Sequence, residues 1–207
     1  MKKLLPLVSM MAGMALSTTI NATTMVQLST PQMVDASDAI VRGKITEVWT
    51  EEDENGIVWT RAQLEVSQSY KGQNVKDAYV IDQIGGRFGG NETQVSGRAH
   101  FSPGEEGVFF LERLGSGRIT TVGLSQGKYT LRLDPYSQET IVQRYTPGKG
   151  KTYDHRFIPL PLEGERTFLI DLVDNIKNRV ETGWDGTPIP GTSNARLERI
   201  NRKEVTR

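Results

Sequence analysis

The chain has no cysteine, and its 207 residues include only two histidines, His100 and His155. Without cysteine there is no disulfide staple and no lipid-modified cysteine to tether the chain, so stability must come from a core of adequate size. Zinc sites usually draw three or four N, S or O ligands. Two histidines in separate loops, with no H-E-x-x-H phrase, do not assemble one, and no metal or other cofactor is expected. Charge of a single sign is also missing, with 25 basic and 25 acidic residues. Nucleic-acid binders carry a clear basic excess, so nucleic acid is not an expected partner.

Long apolar runs are scarce too. The longest, Leu4 to Leu16, has 13 residues, whereas a membrane span needs roughly 20. It follows Lys2 and Lys3 and precedes a polar, small-residue segment ending Ile20-Asn21-Ala22. Charged, apolar and small-residue regions in that order read as a cleaved signal peptide over residues 1–22. The remainder then has 23 basic and 25 acidic residues and suits one domain with appendages. The expected location is periplasmic or secreted, with no membrane span.

What is present is strand alternation. Ala39 to Trp49 and Ile57 to Tyr70 form two long runs of period two around Glu51-Glu52-Asp53-Glu54-Asn55-Gly56, and Asn-Gly marks a hairpin. The four carboxylates lack the spacing of a calcium loop and read as a solvated tip. Gly43 inside the first run predicts a bulge or close backbone approach. Ala78 to Gln83 is a third strand. Gly107 to Leu114 is nearly all apolar and predicts a strand buried on both faces. Arg118 to Leu124 is a fifth, and Lys128–Leu133 with Glu139–Tyr145 adds a hairpin. A helical turn is expected at Thr30–Val34, capped by Thr30 with Pro31 behind it. A helix over residues 165–183 is expected from Phe168, Leu172, Ile176 and Val180, with Thr167 as cap and Gly183 as stop. The expected class is all-β with one C-terminal helix: a five-stranded OB-like β-barrel plus an extra hairpin over 23–145. Residues 146–164 form a linker, and 184–207 a disordered tail.

The phrases Ser37-Asp38-Ala39-Ile40-Val41-Arg42-Gly43-Lys44, Tyr70-Lys71-Gly72 and Gly104-Glu105-Glu106-Gly107-Val108-Phe109-Phe110-Leu111 resemble the netrin-like module of the tissue inhibitors of metalloproteinases, an OB-type barrel. Gly-Leu-Ser-Gln-Gly-Lys-Tyr, Gly123 to Tyr129, is similar to a phrase in uncharacterised exported bacterial proteins. The resemblance covers roughly residues 33–133. Those inhibitors act through an N-terminal cysteine amine, which this chain lacks, so it implies a fold and a protein-binding use but transfers no inhibitory residue.

Gly123-Leu124-Ser125-Gln126-Gly127 is a literal G-x-S-x-G, with Asp134 and His155 following in hydrolase order. A nucleophile elbow needs a strand before the serine and a helix after it, whereas Lys128 to Leu133 alternates like a strand. Gly85 to Gly90 lacks the Gly-Lys-Ser/Thr end of a phosphate loop and reads as a long flexible loop. Its Arg87 and Phe88, with Asn91, combine a cation, a ring and an amide, the expected binding residues. The leading expectation is an exported, non-enzymatic binding protein, protease-inhibitor-like or a protein-interaction module, whose partner is another exported protein. A structural or assembly component of the envelope comes second, and a small serine hydrolase using Ser125 third.

Overall fold

The computed structural model describes residues 25–73, 75–144, 152–153, 159–160 and 166–202. The expected signal peptide, His155 and most of the expected linker lie outside them. Among the described residues the fold is mostly β, with 45% of them in strands, most of these in a curled half-barrel sheet, and there are three helices where one was expected.

Helix α1 (Thr30–Ala36) starts at Ser29, one residue before the expected cap. The Ser29 hydroxyl accepts from Gln32 N, and Gln32 Oε1 accepts from Ser29 N. This reciprocal box satisfies two donors that a helix start leaves open.

Strands β1 (Ala39–Glu52) and β2 (Val58–Lys71) pair antiparallel, with three register shifts. At Gly43 a Cβ would strike the Glu65 carbonyl, which is the close approach expected there. Ser67 and Thr46 fall in two of the shifts, and each hydroxyl bonds the opposite strand. Bulges add local twist, so a hairpin with three of them curls.

Strand β3 (Ala78–Ile84) continues the sheet beside β2, and β4 (Glu106–Arg113) flanks β1 on the other side. The far edge of β4 is shared. Leu111–Arg113 pair with β5 (Ile119–Thr121), while Gly107–Phe109 pair with β6 (Lys128–Leu133). β6 then pairs with β7 (Thr140–Arg144), and β7 with β8 (Arg166–Phe168). The curl brings β3 near β5, where Gln83 Nε2 donates to Thr120 and Thr121 Oγ1 at 2.7 and 3.0 Å.

As its composition predicts, β4 is buried on both faces. Phe109 and Leu111 pack inside the curl with Val41, Ile45, Leu64 and Ile81. Val108 and Phe110 face the other way, joining Met33, Tyr129, Leu172 and Ile176. The sheet thus separates two apolar clusters, one in its concavity and one beneath the helices.

Helix α2 (Leu169–Thr182) ends at Gly183, as expected. Thr167 does not cap it; it lies in β8 opposite Val142. A third helix, α3 (Asn194–Ile200), occupies the stretch expected to be a disordered tail. Ser193 caps it, and Leu197 is fully buried among the helix-side apolar residues. One apolar anchor amid charge gives too weak a periodicity to register in the sequence. Among the described residues, no helix is long and apolar enough to cross a membrane.

The last turn of α1 is where these elements meet. Lys71 Nζ donates to Val34 O at 2.7 Å, Asn201 Nδ2 to Asp35 O at 2.8 Å, and Arg196 Nη1 to Ala36 O at 2.7 Å. Asp35 receives Arg179 of α2 through both carboxylate oxygens, at 2.6–3.1 Å.

Two predictions follow from this packing. Phe110→Ala should cost about 3–5 kcal/mol, as large-to-small core changes do, measured by urea denaturation. A loss below about 0.5 kcal/mol, the surface level, would remove β4 from the centre. Burial, the largest influence, lowers the Lys71 ammonium from 10.5 to about 8. Between those values the unfolded chain binds more protons than the folded one, so this group makes stability climb as pH rises from about 8 toward 10.5. The stability of wild type minus that of Lys71→Met should increase across that window, and a flat difference would refute the burial.

Candidate functional site

The three residues expected to bind a partner do come together, on a hairpin rather than an open flexible loop. Gly86–Phe88 pairs with Asn91–Thr93. Gly89 and Gly90 have φ of 54° and 91°, the paired positive values of a type I′ turn that glycine reaches without steric cost. The hairpin is seated on the end of β1 and the start of β2. Thr50 Oγ1 donates to Arg87 O at 3.0 Å, and Val58 N to Thr93 Oγ1 at 3.2 Å. Thr60 Oγ1 and Arg98 Nη1 both donate to Gly85 O.

At the tip, Arg87 Nη2 reaches Glu92 Oε2 at 2.6 Å, and Asn91 Nδ2 donates to both oxygens of Glu52. Arg87 and Asn91 therefore brace the hairpin. Phe88 makes the apolar display: it is 45% exposed beside them.

The acidic turn between β1 and β2 is occupied by its own structure. Asp53 Oδ1 accepts from Asn55 N and Ile57 N, and Oδ2 from Trp59 Nε1. These donors hold the Asp53 carboxyl below its usual range, the Trp59 bond most of all. Among the described residues, no group of His, Asp or Glu could hold a metal ion.

The Gly123–Gly127 phrase sits in the fork between β5 and β6. Gly123 has φ of 61°, and Leu124, although not glycine, has 62°. A Cβ on Gly127 would come within 2.6–2.9 Å of the Val122 backbone and the Phe110 carbonyl. The Gln126 side chain acts as a backbone surrogate for the N-terminal arm: Oε1 accepts from Leu28 N at 2.8 Å, and Nε2 donates to Val26 O at 3.0 Å. Sequence reasoning missed this clamp, because no local pattern pairs Gln126 with residues a hundred positions away. It also missed Arg144, which is buried, donates to Leu28 O at 2.9 Å and lies 5.6 Å from the Tyr129 ring centre.

Ser125 is buried in this corner, and among the described residues its Oγ has no hydrogen-bond partner. It borders a cleft of about 400 Å³ with His100, Lys128, Arg132 and Gln143. Burial, then the nearby Arg98 and Lys128, keep the His100 imidazole below its ordinary value. Lys128 is committed to Glu105 at 2.6 Å and to the His100 carbonyl. Asp134 accepts from Tyr136 N and pairs with Arg166 at 2.9 Å. A short 3-10 turn followed by strand β6 carries the serine, and that is a strand–turn–strand corner, not an elbow. No protein-family model matches this chain, and a search of curated proteins found no match.

If the phrase is a structural lock, its residues should differ sharply in cost. Gln126→Ala strands a buried amide and a carbonyl and should lose about 1–3 kcal/mol, with faster hydrogen exchange at Leu28. Ser125→Ala should change stability by less than about 0.5 kcal/mol. Equal losses in paired thermal melts would refute that division.

Proposed function

We propose that this chain is an exported, non-enzymatic binding protein that presents the Gly86–Thr93 hairpin to another exported protein. The observation that carries the reading is the exposed Phe88 ring on a tip already braced by Arg87–Glu92 and Asn91–Glu52. An aromatic group held in place loses little conformational freedom on binding, and aromatics with arginine dominate interface hot spots.

An OB-like barrel belongs to the same proposal. β1, β2, β3, β5 and β4 follow one another around the inner apolar cluster, and the side-chain bridge from Gln83 to β5 stands where a backbone ladder would close the ring. OB barrels bind through the face and loops beside their second and third strands, and the hairpin leaves β3 directly. Residues 1–22, read as a signal peptide, support a periplasmic or secreted location. The netrin-like resemblance supports protein binding without supplying the cysteine chemistry of those inhibitors.

Envelope assembly through the C-terminal helices is the second reading, favoured by Ile170, which is 69% exposed on α2. A photo-crosslinking residue at position 88, 170 or the exposed control Tyr136 separates the two in intact cells. The expected result is one discrete adduct from position 88 and none from 136. An adduct from 170 alone would transfer the function to the helices. With the partner in hand, Arg87→Ala/Phe88→Ala should weaken binding by at least about 2 kcal/mol while leaving the thermal melt unchanged.

A further inference from the structure

A second feature lies at the other end of the β1–β3 strands. A groove of about 490 Å³ opens between the end of β2, the loop that follows it, the edge of β4 and the end of α3. Five cations border it: Lys71, Lys76, Arg113, Arg199 and Arg202. The two carboxylates that share it, Asp38 and Glu112, are turned to Arg196, at 2.6 and 3.7 Å. Asp38 Oδ2 also accepts from Arg113 N. The acids of the groove are therefore spent on a cation behind it.

The basic groups are not matched in return. Among the described residues, Lys76, Arg199 and Arg202 make no ion pair, and the Arg113 guanidinium reaches only the Gly117 carbonyl. Lys71 is the most telling. Its ammonium is held by Val34 O and Asn201 Oδ1, two neutral acceptors for three N–H donors. A charge taken largely out of water with no carboxylate in contact is costly to hold, and the groove is where a counter-charge fits.

We propose that this groove binds a small polyanion of the phosphate class, such as a polyphosphate or a multiply phosphorylated small molecule. Three arginines supply planar forks that match the spacing of phosphate oxygens, and two lysines add compact charge. Five cations without a carboxylate partner among the described residues, around one cavity, call for a ligand of at least two negative charges. The volume lies within the usual range for small-molecule sites. Tyr79, the aromatic residue of the wall, is buried and accepts from Lys76 N; it offers no open face on which a nucleobase could stack.

The test is isothermal titration of the purified protein with tripolyphosphate at fixed ionic strength, with sulfate and a poly-glutamate peptide as comparisons. Tripolyphosphate should bind at least roughly tenfold more tightly than either, since each charge-assisted bond is worth about a factor of ten or more. Arg199→Ala/Arg202→Ala, on exposed positions of the helix end, should weaken it at least tenfold with an unchanged melt. Arg87→Ala, which removes a cation from the hairpin, should leave it intact. No measurable heat, equal affinity for sulfate, tighter binding of poly-glutamate, or indifference to the double substitution would each overturn the proposal. None of these outcomes bears on the hairpin reading, which concerns different residues.

Discussion

The carbonyls at the end of α1 set the constraint around which the molecule is arranged. A helix leaves its last carbonyls without intrahelical partners. Here they lie at buried residues, where an orphaned acceptor costs about 1–3 kcal/mol. Ser37 N and Lys71 Nζ serve Val34, Asn201 serves Asp35, and Arg196 serves Ala36. Three of these donors are side chains from the end of β2, from α3 or from Asn201, which caps the end of α3. The cations also sit at the negative end of the helix dipole. Arg179 of α2 adds a bidentate bond to the Asp35 carboxylate. One short helix near the start of the described chain is thus the fixture on which the hairpin end and both C-terminal helices dock, and it ties segments more than 160 residues apart.

The second constraint is steric and sits on β4. A strand apolar on both faces must separate two apolar layers, and Val108/Phe110 and Phe109/Leu111 do so. Its far edge serves two partners, and they can diverge only if the chain turns tightly between them. That requirement explains Gly127, where any side chain would strike backbone, and the left-handed pair Gly123–Leu124. Leu124 bears a conformation costing about 1–2 kcal/mol for a residue with a Cβ. Its carbonyl accepts from Thr121 Oγ1 and the next amide donates to Gly97 O, so the surroundings hold the turn in place.

Much of the sheet was legible because its signals are local. Period-two alternation located β1 and β2, the apolar run located β4, and Gly43 announced a close approach. The helix caps were misplaced by local competition. Ser29 outdid Thr30 because only Ser29 stands three residues before Gln32, and Thr167 was drawn into β8 by pairing with Val142. The OB-like expectation stands at the coarse level of a curled half-barrel, since closure at β3 and β5 runs through side chains that alternation does not report. Arg87, Phe88 and Asn91 were singled out as a cation, a ring and an amide in a glycine-rich stretch read as a flexible loop; the hairpin they form is seated on Thr50 and Val58, which no local pattern reports. What could not be read is long-range: the Gln126 clamp, the capping of α1 by Asn201 and Arg196, and the burial of Leu197 all depend on residues brought close only by the finished fold.

The same geometry separates the two surfaces argued to bind. The hairpin rests on Thr50 and Val58, at the end of β1 and the start of β2, whereas the groove begins at Asp38 and Lys71, at the opposite ends of those strands. Strand β2 has 14 residues, roughly 45 Å of chain at about 3.3 Å per residue. Charges that far apart are screened over several Debye lengths at physiological salt, so the cations of the groove do not act electrostatically on the tip. Any coupling between the sites would have to travel along the β1–β2 ladder or through β3 beside it. That ladder carries three bulges, and its register is fixed by the concave core through Val41, Ile45, Ala62 and Leu64. A slip of one residue would turn those side chains outward, so the strands behave as a rigid spacer. Substitutions at the two ends should therefore act independently, as sites without shared partners do.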